Sequence, residues 1–189
     1  MTQLTILDRD GVLNHDSEAY IKSVEEWIAI AGSAEAVGRL CDAGVTVAVA
    51  TNQSGLTRGY FSQVDLDAMH EKMCHLAAQY GGHFAHIAWC PHGPDDHCDC
   101  RKPLPGLIEQ IRTALKLSQA DIDNAWMIGD SLRDLQAGHS AGCHTALVRS
   151  GKGSQSEEKL ASDASIADSP VFDDLAAFVD WYLNHQTSV

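Results

Sequence analysis

The sequence lacks the features that would place the protein in a membrane or direct it to a secretory route. Its longest apolar runs, such as Val45 to Ala50, are far too short to span a bilayer. No basic stretch followed by a long apolar core stands at the N-terminus, so we expect no secretory signal and a cytoplasmic location. Hydrophobic residues make up 44% and charged residues 21% of the 189 residues, the balance of an ordinary globular domain. The length predicts a single domain over residues 1–189.

Positive charge is scarce. Lys and Arg number 13 against 26 Asp and Glu, which gives a formal net charge of −13. A diffuse negative field disfavours nucleic acids and anionic membranes, so we expect neither as a partner. A small anionic substrate remains compatible with this charge, because a few local cations can dominate a small pocket.

A disulfide framework is not indicated, although the chain has six cysteines. Cys41, Cys74 and Cys143 are scattered through apolar sequence, as buried thiols are. The other three crowd into the stretch CPHGPDDHCDC, and in a chain without a secretory signal such a cluster favours metal binding.

That stretch has the pattern C-x-H-x5-C-x-C, whose members are Cys90, His92, Cys98 and Cys100. Three sulfurs and one imidazole can close a tetrahedral Zn²⁺ shell with no open position, so we predict a structural zinc in a loop at about residues 90–100. The alternatives are a set of free thiols and His97 as a substitute ligand. We expect the ion to hold the loop that ends in Arg101 and Lys102.

Short apolar runs alternate with helical patterns along the chain, which predicts a three-layer α/β fold with a Rossmann-like parallel sheet and helices on both faces. The strands are predicted at 4–7, 45–50, 86–89, 125–128 and 145–148. The helices are predicted from an N-cap at Ser33 to Leu40, from a cap at Ser62 through an apolar stripe ending at Tyr80, and over 105–117, 132–141 and 173–184. The polar region 150–169 is predicted as a surface loop.

Three predicted strands end in polar groups, and the carboxyl ends of parallel strands meet at one edge of a sheet. The first strand is followed by Asp8 and Asp10, the second by TNQSG, and the fourth by Asp130. Carboxylates suit Mg²⁺. One of the two acids after the first strand can also attack phosphorus, while the other can protonate a leaving group.

Donors for a transferred phosphoryl group are available in the same places. Thr51 offers a hydroxyl, Asn52 and Gln53 offer backbone amides, and Lys102 offers a full positive charge. Each motif alone has a plainer interpretation, as a capped strand end, a turn or a helix cap. The order and spacing of all of them together favour a phosphoryl-transfer site.

The motifs LDRDGV, TNQSG, CRKP and GDSLRD resemble motifs one to four of the haloacid dehalogenase (HAD) superfamily, over about residues 4–152. The whole set is similar to its histidinol-phosphate and heptose-bisphosphate phosphatase branch, which lacks a large cap domain and carries a zinc loop. The resemblance implies that Asp8 is the nucleophile and Asp10 the general acid/base. It also implies that Mg²⁺ is bound by Asp8, the carbonyl of Asp10 and the side chain of Asp130.

The resemblance further implies which residues contact the substrate. Thr51 and Lys102 match the groups that hold the phosphoryl oxygens. The expected substrate-binding residues are Arg101, Asn52, Gln53 and Ser54 together with the loop segment Asp16, Ser17, Glu18 and Ala19. One position departs from the pattern, because Ser131 stands where some heptose enzymes have lysine.

The function that this resemblance implies is a Mg²⁺-dependent phosphatase that removes the 7-phosphate of a heptose 1,7-bisphosphate through an aspartyl phosphate, in the synthesis of nucleotide-activated heptose. The partner would be a small phosphosugar, and the expected state is a monomer. A histidinol-phosphate phosphatase is the alternative, because the motifs of the two are nearly the same. A non-catalytic, zinc-stabilised binding module is a distant third.

Overall fold

The computed structural model describes residues 2–186, and its centre is one sheet of six parallel strands in the order β3-β2-β1-β4-β5-β6. Parallel neighbours need crossover connections, and helices supply most of them. The strands are β1 (Leu4–Leu7), β2 (Thr46–Asn52), β3 (His86–Cys90), β4 (Trp126–Gly129), β5 (His144–Val148) and β6 (Val171–Phe172).

Helices cover both faces of this sheet. The helices are α1 (Ser33–Asp42), α2 (Gln63–Ala78), α3 (Gly106–Ala114), α4 (Gln119–Asp123), α5 (Leu132–Ala141), α6 (Gly153–Leu160) and α7 (Leu175–Gln186). Apolar residues of α1, α2 and α7 form the core on one face, and those of α3 to α6 form the core on the other. The predicted three-layer α/β fold is therefore confirmed.

The central strands are buried on both faces because their side chains alternate between the two cores. In β2, Val47 and Val49 point to the core with α1 and α2, while Ala48 and Ala50 point to the core with α3. Small residues on the second face let α3 approach closely. All four residues are fully buried, as continuous apolar runs in parallel sheets require.

The structure differs from the sequence-based predictions in several elements. Helix α6 lies inside the region 150–169 that was predicted as a loop, and α4 was not predicted. The N-cap of α1 is Gly32 in a left-handed conformation (φ +82°), while the Ser33 hydroxyl donates to the Leu13 carbonyl at 2.8 Å. Tyr80 lies beyond the end of α2 and is exposed, so the buried stripe of α2 ends earlier.

The topology places a crevice at the carboxyl ends of β1 and β4. The chain moves from β1 outward to β2 and β3 and then returns to β4 on the other side of β1. Open α/β sheets bind ligands at such a reversal point. Between β2 and β3 the connection consists of α2 and short turns, so the described residues 2–186 leave this crevice without a separate cap. Among them, no helix is both long and apolar enough to cross a membrane.

Candidate active site

A cavity of about 250 Å³ opens at the carboxyl ends of these strands and brings together the predicted catalytic, magnesium-binding and substrate-binding residues with one exception. Ala19 is the exception, because it is exposed and its carbonyl accepts a hydrogen bond from Lys22 Nζ. The predicted residues that line the cavity are Asp8, Asp10, Asp16, Ser17, Glu18, Thr51, Asn52, Gln53, Ser54, Arg101, Lys102 and Asp130.

Asp8 follows β1 directly and is oriented by three contacts. Its amide donates to the Ile128 carbonyl at 2.9 Å, which continues the β1–β4 ladder by one residue. Its Oδ1 accepts from the Arg9 amide at 2.7 Å and lies 2.9 Å from Lys102 Nζ. Asp8 therefore enters the cavity with one oxygen held in place, as a positioned nucleophile would.

Lys102 is a buried cation held by three oxygens. Its Nζ lies 2.9 Å from Asp8 Oδ1 and 2.6 Å from Asp134 Oδ1, and it donates to the Ala50 carbonyl at 2.7 Å. Burial opposes the charge, but the carboxylates of Asp134 and Asp8 outweigh it and raise the pKa of Lys102. The ammonium therefore stays charged beside the nucleophile.

The backbone of Lys102 is fixed by Asn52, which ends β2. The Asn52 side-chain amide donates to the Lys102 carbonyl at 3.1 Å, and its oxygen accepts from the Lys102 amide at 3.0 Å. This two-point contact ties the chain after the Cys/His loop to the sheet. Asn52 therefore positions Lys102 as well as lining the cavity.

Asp134 has both carboxylate oxygens engaged. Oδ1 pairs with Lys102, and Oδ2 accepts from the amide of Ser131 at 3.0 Å and from its hydroxyl at 2.7 Å. The latter contacts form a capping box at the start of α5. Asp134 was given no role from the sequence, and its engagement with Lys102 makes it a positioning residue.

Asp130 follows β4 and faces Asp8 across the cavity. Its Oδ2 accepts from the Lys152 amide at 2.8 Å, and its carbonyl accepts from the Ser156 hydroxyl at 2.9 Å. Gly11 adopts φ +87°, and a Cβ there would overlap the Asp130 carboxylate. Only glycine permits this close approach of the chain after β1 to the end of β4.

Three acidic residues, Asp8, Asp130 and Asp134, bring carboxylate oxygens within 4.8 Å of one another. Burial, with Asp134 and Asp10 nearby, raises the pKa of Asp8 to about 7, although Lys102 opposes the shift. Burial and the charges of Asp134 and Asp8 raise the pKa of Asp130 to about 8. Hard oxygen donors under this mutual repulsion suit a divalent cation, which would stabilise their ionised forms.

Asp10 lies against donors on both of its oxygens. Arg9 donates to both oxygens through Nη2 at 2.9 and 3.0 Å, Asn14 donates to Oδ1 at 2.9 Å, and Gln53 Nε2 donates to Oδ2 at 2.8 Å. Burial alone would raise the pKa of Asp10, but Arg9, Asn14 and Gln53 outweigh it and lower that pKa. The arrangement therefore stabilises the ionised form, which is the form of a general base.

The side chain of Gln53 joins Asp10 to the phosphoryl-binding residue predicted at the end of β2. Besides its contact with Asp10, Gln53 Nε2 donates to Thr51 Oγ1 at 2.9 Å. This leaves the Thr51 hydroxyl proton for another acceptor. The predicted use of the Gln53 backbone amide is wrong, because that amide donates to the Cys90 carbonyl at 2.7 Å and prolongs the β2–β3 pairing.

The mouth of the cavity carries an ion pair and an aromatic pair. Lys152 Nζ lies 2.5 Å from Asp16 Oδ2, which links the loop after β1 to the start of α6. Tyr20 lines the cavity and packs against Tyr60 with ring centroids 5.0 Å apart. The loop that contains Asp16 is thus held over the cavity by two separate contacts.

The four predicted zinc ligands lie close together at the end of β3 and in the loop that follows it. The contacts Cys90 Sγ–His92 Nδ1, Cys90 Sγ–Cys98 Sγ and Cys98 Sγ–Cys100 Sγ each measure 3.6 Å, and His92 Nδ1–Cys100 Sγ measures 3.4 Å. The contact Cys90 Sγ–Cys100 Sγ is shorter, at 3.0 Å. Ligands at about 2.3 Å from one tetrahedral ion lie about 3.7 Å apart. The six cysteines are all free thiols, so this arrangement fits a zinc site and not a disulfide.

The loop reaches the cavity through Arg101. Arg101 Nη1 donates to the carbonyl of His92 at 2.9 Å.

Burial opposes ionisation of Cys98, but the Arg101 amide and the Cys100 thiol outweigh it and lower the pKa of Cys98 to about 7. Burial raises the pKa of Cys90 and of Cys100, so a bound cation would be needed to keep all three as thiolates, the metal-binding form.

The residues of the site that were given no role from the sequence include Arg9, Asn14, Arg133 and Asp134. Arg9 stands inside the LDRDGV motif, and its position between two acids was the available signal. Asp134 had the signal of its place in GDSLRD. Arg133 stands in the same motif and had the same signal. Asn14 carried none, because its proximity to the cavity depends on the path of a turn.

The fold and this set of residues define a hydrolase of the HAD class. Residues 99–178 match the HAD-hydrolase-like family profile. The chain is 49% identical to the D-glycero-β-D-manno-heptose-1,7-bisphosphate 7-phosphatase of Pseudomonas putida, over 93% of this chain and 96% of the relative. The enzyme of the same name from Neisseria meningitidis serogroup B is 45% identical, over 98% and 97% of the two chains.

A solved structure agrees with these relatives. The D,D-heptose 1,7-bisphosphate phosphatase from B. bronchiseptica, complexed with magnesium and phosphate, superposes with a TM-score of 0.90 at 47% identity, over 97% of this chain and 99% of that one. The chain belongs to the heptose-1,7-bisphosphate 7-phosphatase family of HAD-like hydrolases. It is therefore an enzyme of the phosphoric monoester hydrolase class, and the predicted family is confirmed.

Proposed function

We propose that this enzyme removes the 7-phosphate of D-glycero-β-D-manno-heptose 1,7-bisphosphate, with Mg²⁺, through an aspartyl phosphate on Asp8. The observation that carries the proposal is the juxtaposition of Asp8, paired with the buried Lys102, with Asp10 and Asp130 at one cavity. The names of the relatives support the sugar and its β anomer. In this role the product would serve the synthesis of nucleotide-activated heptose.

In the first step, a carboxylate oxygen of Asp8 attacks the phosphorus while the bond from phosphorus to the sugar oxygen O7 breaks. Lys102 Nζ and the free hydroxyl proton of Thr51 are placed to neutralise the phosphoryl oxygens. Asp10 gives a proton to O7 as it leaves. The products of this step are the heptose 1-phosphate and phosphorylated Asp8.

In the second step, ionised Asp10 takes a proton from water, and the resulting hydroxide attacks phosphorus and releases inorganic phosphate and Asp8. The contacts from Arg9, Asn14 and Gln53 stabilise Asp10 as the carboxylate, which favours this step. In the first step Asp10 needs a proton. Approach of the anionic substrate raises the pKa of Asp10, and one donor must give way to the leaving oxygen.

Mg²⁺ would be held by the side chains of Asp8 and Asp130 and the carbonyl of Asp10, and it would offset the charge of the phosphoryl oxygens. Asp134 is the less suitable ligand, because both of its oxygens are already engaged by Lys102 and Ser131. The magnesium in the related B. bronchiseptica structure supports this cofactor.

The zinc of Cys90, His92, Cys98 and Cys100 would be structural, because four protein ligands leave no open position. Free thiols in such a cluster favour a reducing compartment, which supports a cytoplasmic location. The expected active unit remains a monomer.

Histidinol phosphate is the second candidate substrate, because the carboxylates of Asp16 and Glu18 line the cavity and could accept its ammonium group. Phosphate release from both heptose anomers and from L-histidinol phosphate, measured with Mg²⁺ as kcat/KM, separates the candidates. We expect the β heptose bisphosphate to be preferred by several hundred-fold, roughly 3 to 4 kcal/mol of transition-state binding. A higher kcat/KM for histidinol phosphate would contradict the proposed substrate.

A further inference from the structure

We propose that Arg133 binds the phosphate group that is not hydrolysed and thereby selects a bisphosphate over a monophosphate. The inference rests on the proposed function, in which one phosphate reacts at Asp8 and a second one remains on the sugar. It concerns a different end of the cavity from the reacting atoms. The argument begins with the charges that surround the substrate.

The cavity is rich in carboxylates, so the second phosphate needs a cation that is free to meet it. The carboxylates that line the cavity are Asp8, Asp10, Asp16, Glu18, Asp130 and Asp134. Against them stand four cations, Arg101, Lys102, Arg133 and Lys152. A second phosphate without its own cation would meet repulsion from several of these acids.

Three of the four cations are already engaged. Lys102 is held between Asp8 and Asp134, and Lys152 is paired with Asp16 at 2.5 Å. Arg101 uses Nη1 on the His92 carbonyl and keeps only part of its guanidinium free. Recruiting Lys152 would break an ion pair and expose Asp16 to the incoming phosphate.

Within the range 2–186 that the structure describes, the side chain of Arg133 takes part in no hydrogen bond and no ion pair with another residue. Its side chain is exposed, so its guanidinium can meet a phosphate without losing a protein partner. A guanidinium also offers paired N–H donors that match two phosphate oxygens. Binding through Arg133 is therefore less costly than binding through Lys152.

The backbone of Arg133 is rigid although its side chain is free. It lies in the first turn of α5, next to Asp134, whose carboxylate caps the helix and binds Lys102. The following residue, Leu135, is fully buried. The second phosphate would thus be bound by a residue of the same helix turn that orients Lys102 through Asp134.

The position of Arg133 agrees with the direction in which a substrate would extend. A second hollow of about 290 Å³ runs along the Cys/His loop past Gly93, His97 and Leu104. It shares Arg101, Lys102 and Arg133 with the active-site cavity, so the two hollows adjoin at these side chains. A sugar whose 7-phosphate lies at Asp8 can therefore place its far end beside Arg133 and the free part of Arg101.

The test is the ratio of kcat/KM for heptose 1,7-bisphosphate to kcat/KM for heptose 7-phosphate. We expect Arg133→Gln to lower this ratio by about 10- to 100-fold, because that is the usual effect of losing one charge-assisted contact. The change should come from a higher KM for the bisphosphate. Arg133→Lys should restore part of the ratio, and Arg133→Glu should lower it further than Arg133→Gln. A purely structural role would not produce this grading by charge.

Arg112→Gln is the matched control, because it removes one arginine from α3 at a position outside the cavity. It should leave the ratio unchanged. If the ratio is unchanged in Arg133→Gln, or if it falls in Lys152→Gln instead, the role of Arg133 is refuted. The proposed function is unaffected by either result. A wild-type enzyme that does not hydrolyse the bisphosphate would refute the proposed function and the role of Arg133 with it.

Discussion

The carboxylate centre and the Cys/His loop both gather metal-type ligands, but they are built in opposite ways. Asp8 and Asp130 follow adjacent strands, and their positions are set by backbone contacts of the sheet and by Lys152 and Ser156. The loop over residues 91–101 contains no helix or strand. Its ligand side chains hold it together, and it meets the cavity through Arg101.

The difference teaches which part of the enzyme depends on a metal for its shape. A carboxylate centre on strand ends is preformed by the fold, so its ion adds charge and chemistry to an existing site. A loop without regular structure has few contacts of its own, so an ion there supplies the order. We therefore expect damage to the first region to affect turnover and damage to the second to affect substrate binding.

The largest expected effect comes from Asp8→Asn. The carboxamide keeps the shape of the side chain but cannot form an aspartyl phosphate, so kcat should fall by about 10⁴-fold or more. Phosphate release from the preferred substrate measures it, with the melting temperature as the check on folding. Asp67→Asn, on the exposed side of α2, makes the same chemical change away from the cavity and should leave kcat unchanged. Full activity in Asp8→Asn would show that Asp8 is not the nucleophile.

A smaller effect should follow from Cys98→Ser, which removes one ligand of the proposed zinc. The loop would lose order at Arg101, so KM should rise by about 10-fold while kcat stays within about 3-fold, as for other residues that support a ligand indirectly. Steady-state kinetics and the zinc content of the purified protein measure the two halves of this prediction.

Cys74→Ser is the control for that variant, because Cys74 is a half-buried free thiol on α2 with no part in the cluster. It should keep both zinc and KM. Loss of zinc without any change in KM would contradict the predicted link between the loop and substrate binding. Purified wild-type protein that contains no zinc would contradict the prediction that the cluster binds zinc.

The sequence allowed most of this comparison to be predicted because both regions use residues close together in the chain or at the ends of parallel strands. Asp8, Thr51 and Asp130 follow apolar runs, and parallel strands bring their carboxyl ends together in any such fold. The Cys/His ligands fall within one short loop. In both cases local spacing determines the spatial arrangement.

The remaining features depend on packing that no local pattern shows. Helix α6 was missed because its buried face consists of Gly153, Ser156 and Leu160, which give no apolar stripe. Ser156 turns inward to bond the Asp130 carbonyl, so tertiary contacts replace the usual hydrophobic signal. The use of the Gln53 amide was predicted wrongly because β2 continues two residues past the predicted end at Ala50, and the amide of Gln53 just beyond it still pairs with β3.

The last expected effect concerns stability and not kinetics, and it distinguishes the two regions by pH. Burial raises the pKa of Asp8 to about 7 and that of Asp130 to about 8 in the folded chain, well above the pKa of 3.8 of a free Asp. Without a cation, the folded state binds more protons than the unfolded one between pH 4 and 8. Its stability therefore falls as pH rises through that window. Because Mg²⁺ removes this penalty, its stabilising effect should grow from about pH 5 to pH 8.

Melting temperatures with saturating Mg²⁺ and with a matched ionic strength of KCl measure that effect. At a cation concentration of a hundred times Kd the gain at pH 8 should reach about 2 to 3 kcal/mol, and it should shrink at pH 5. Asp8→Asn removes one of the titrating acids, so its Mg²⁺ effect should be smaller and flatter with pH. An effect of Mg²⁺ that is constant over this range would contradict raised pKa values at the carboxylate centre. A Mg²⁺ effect that vanishes in Cys98→Ser would show that the two regions are not independent.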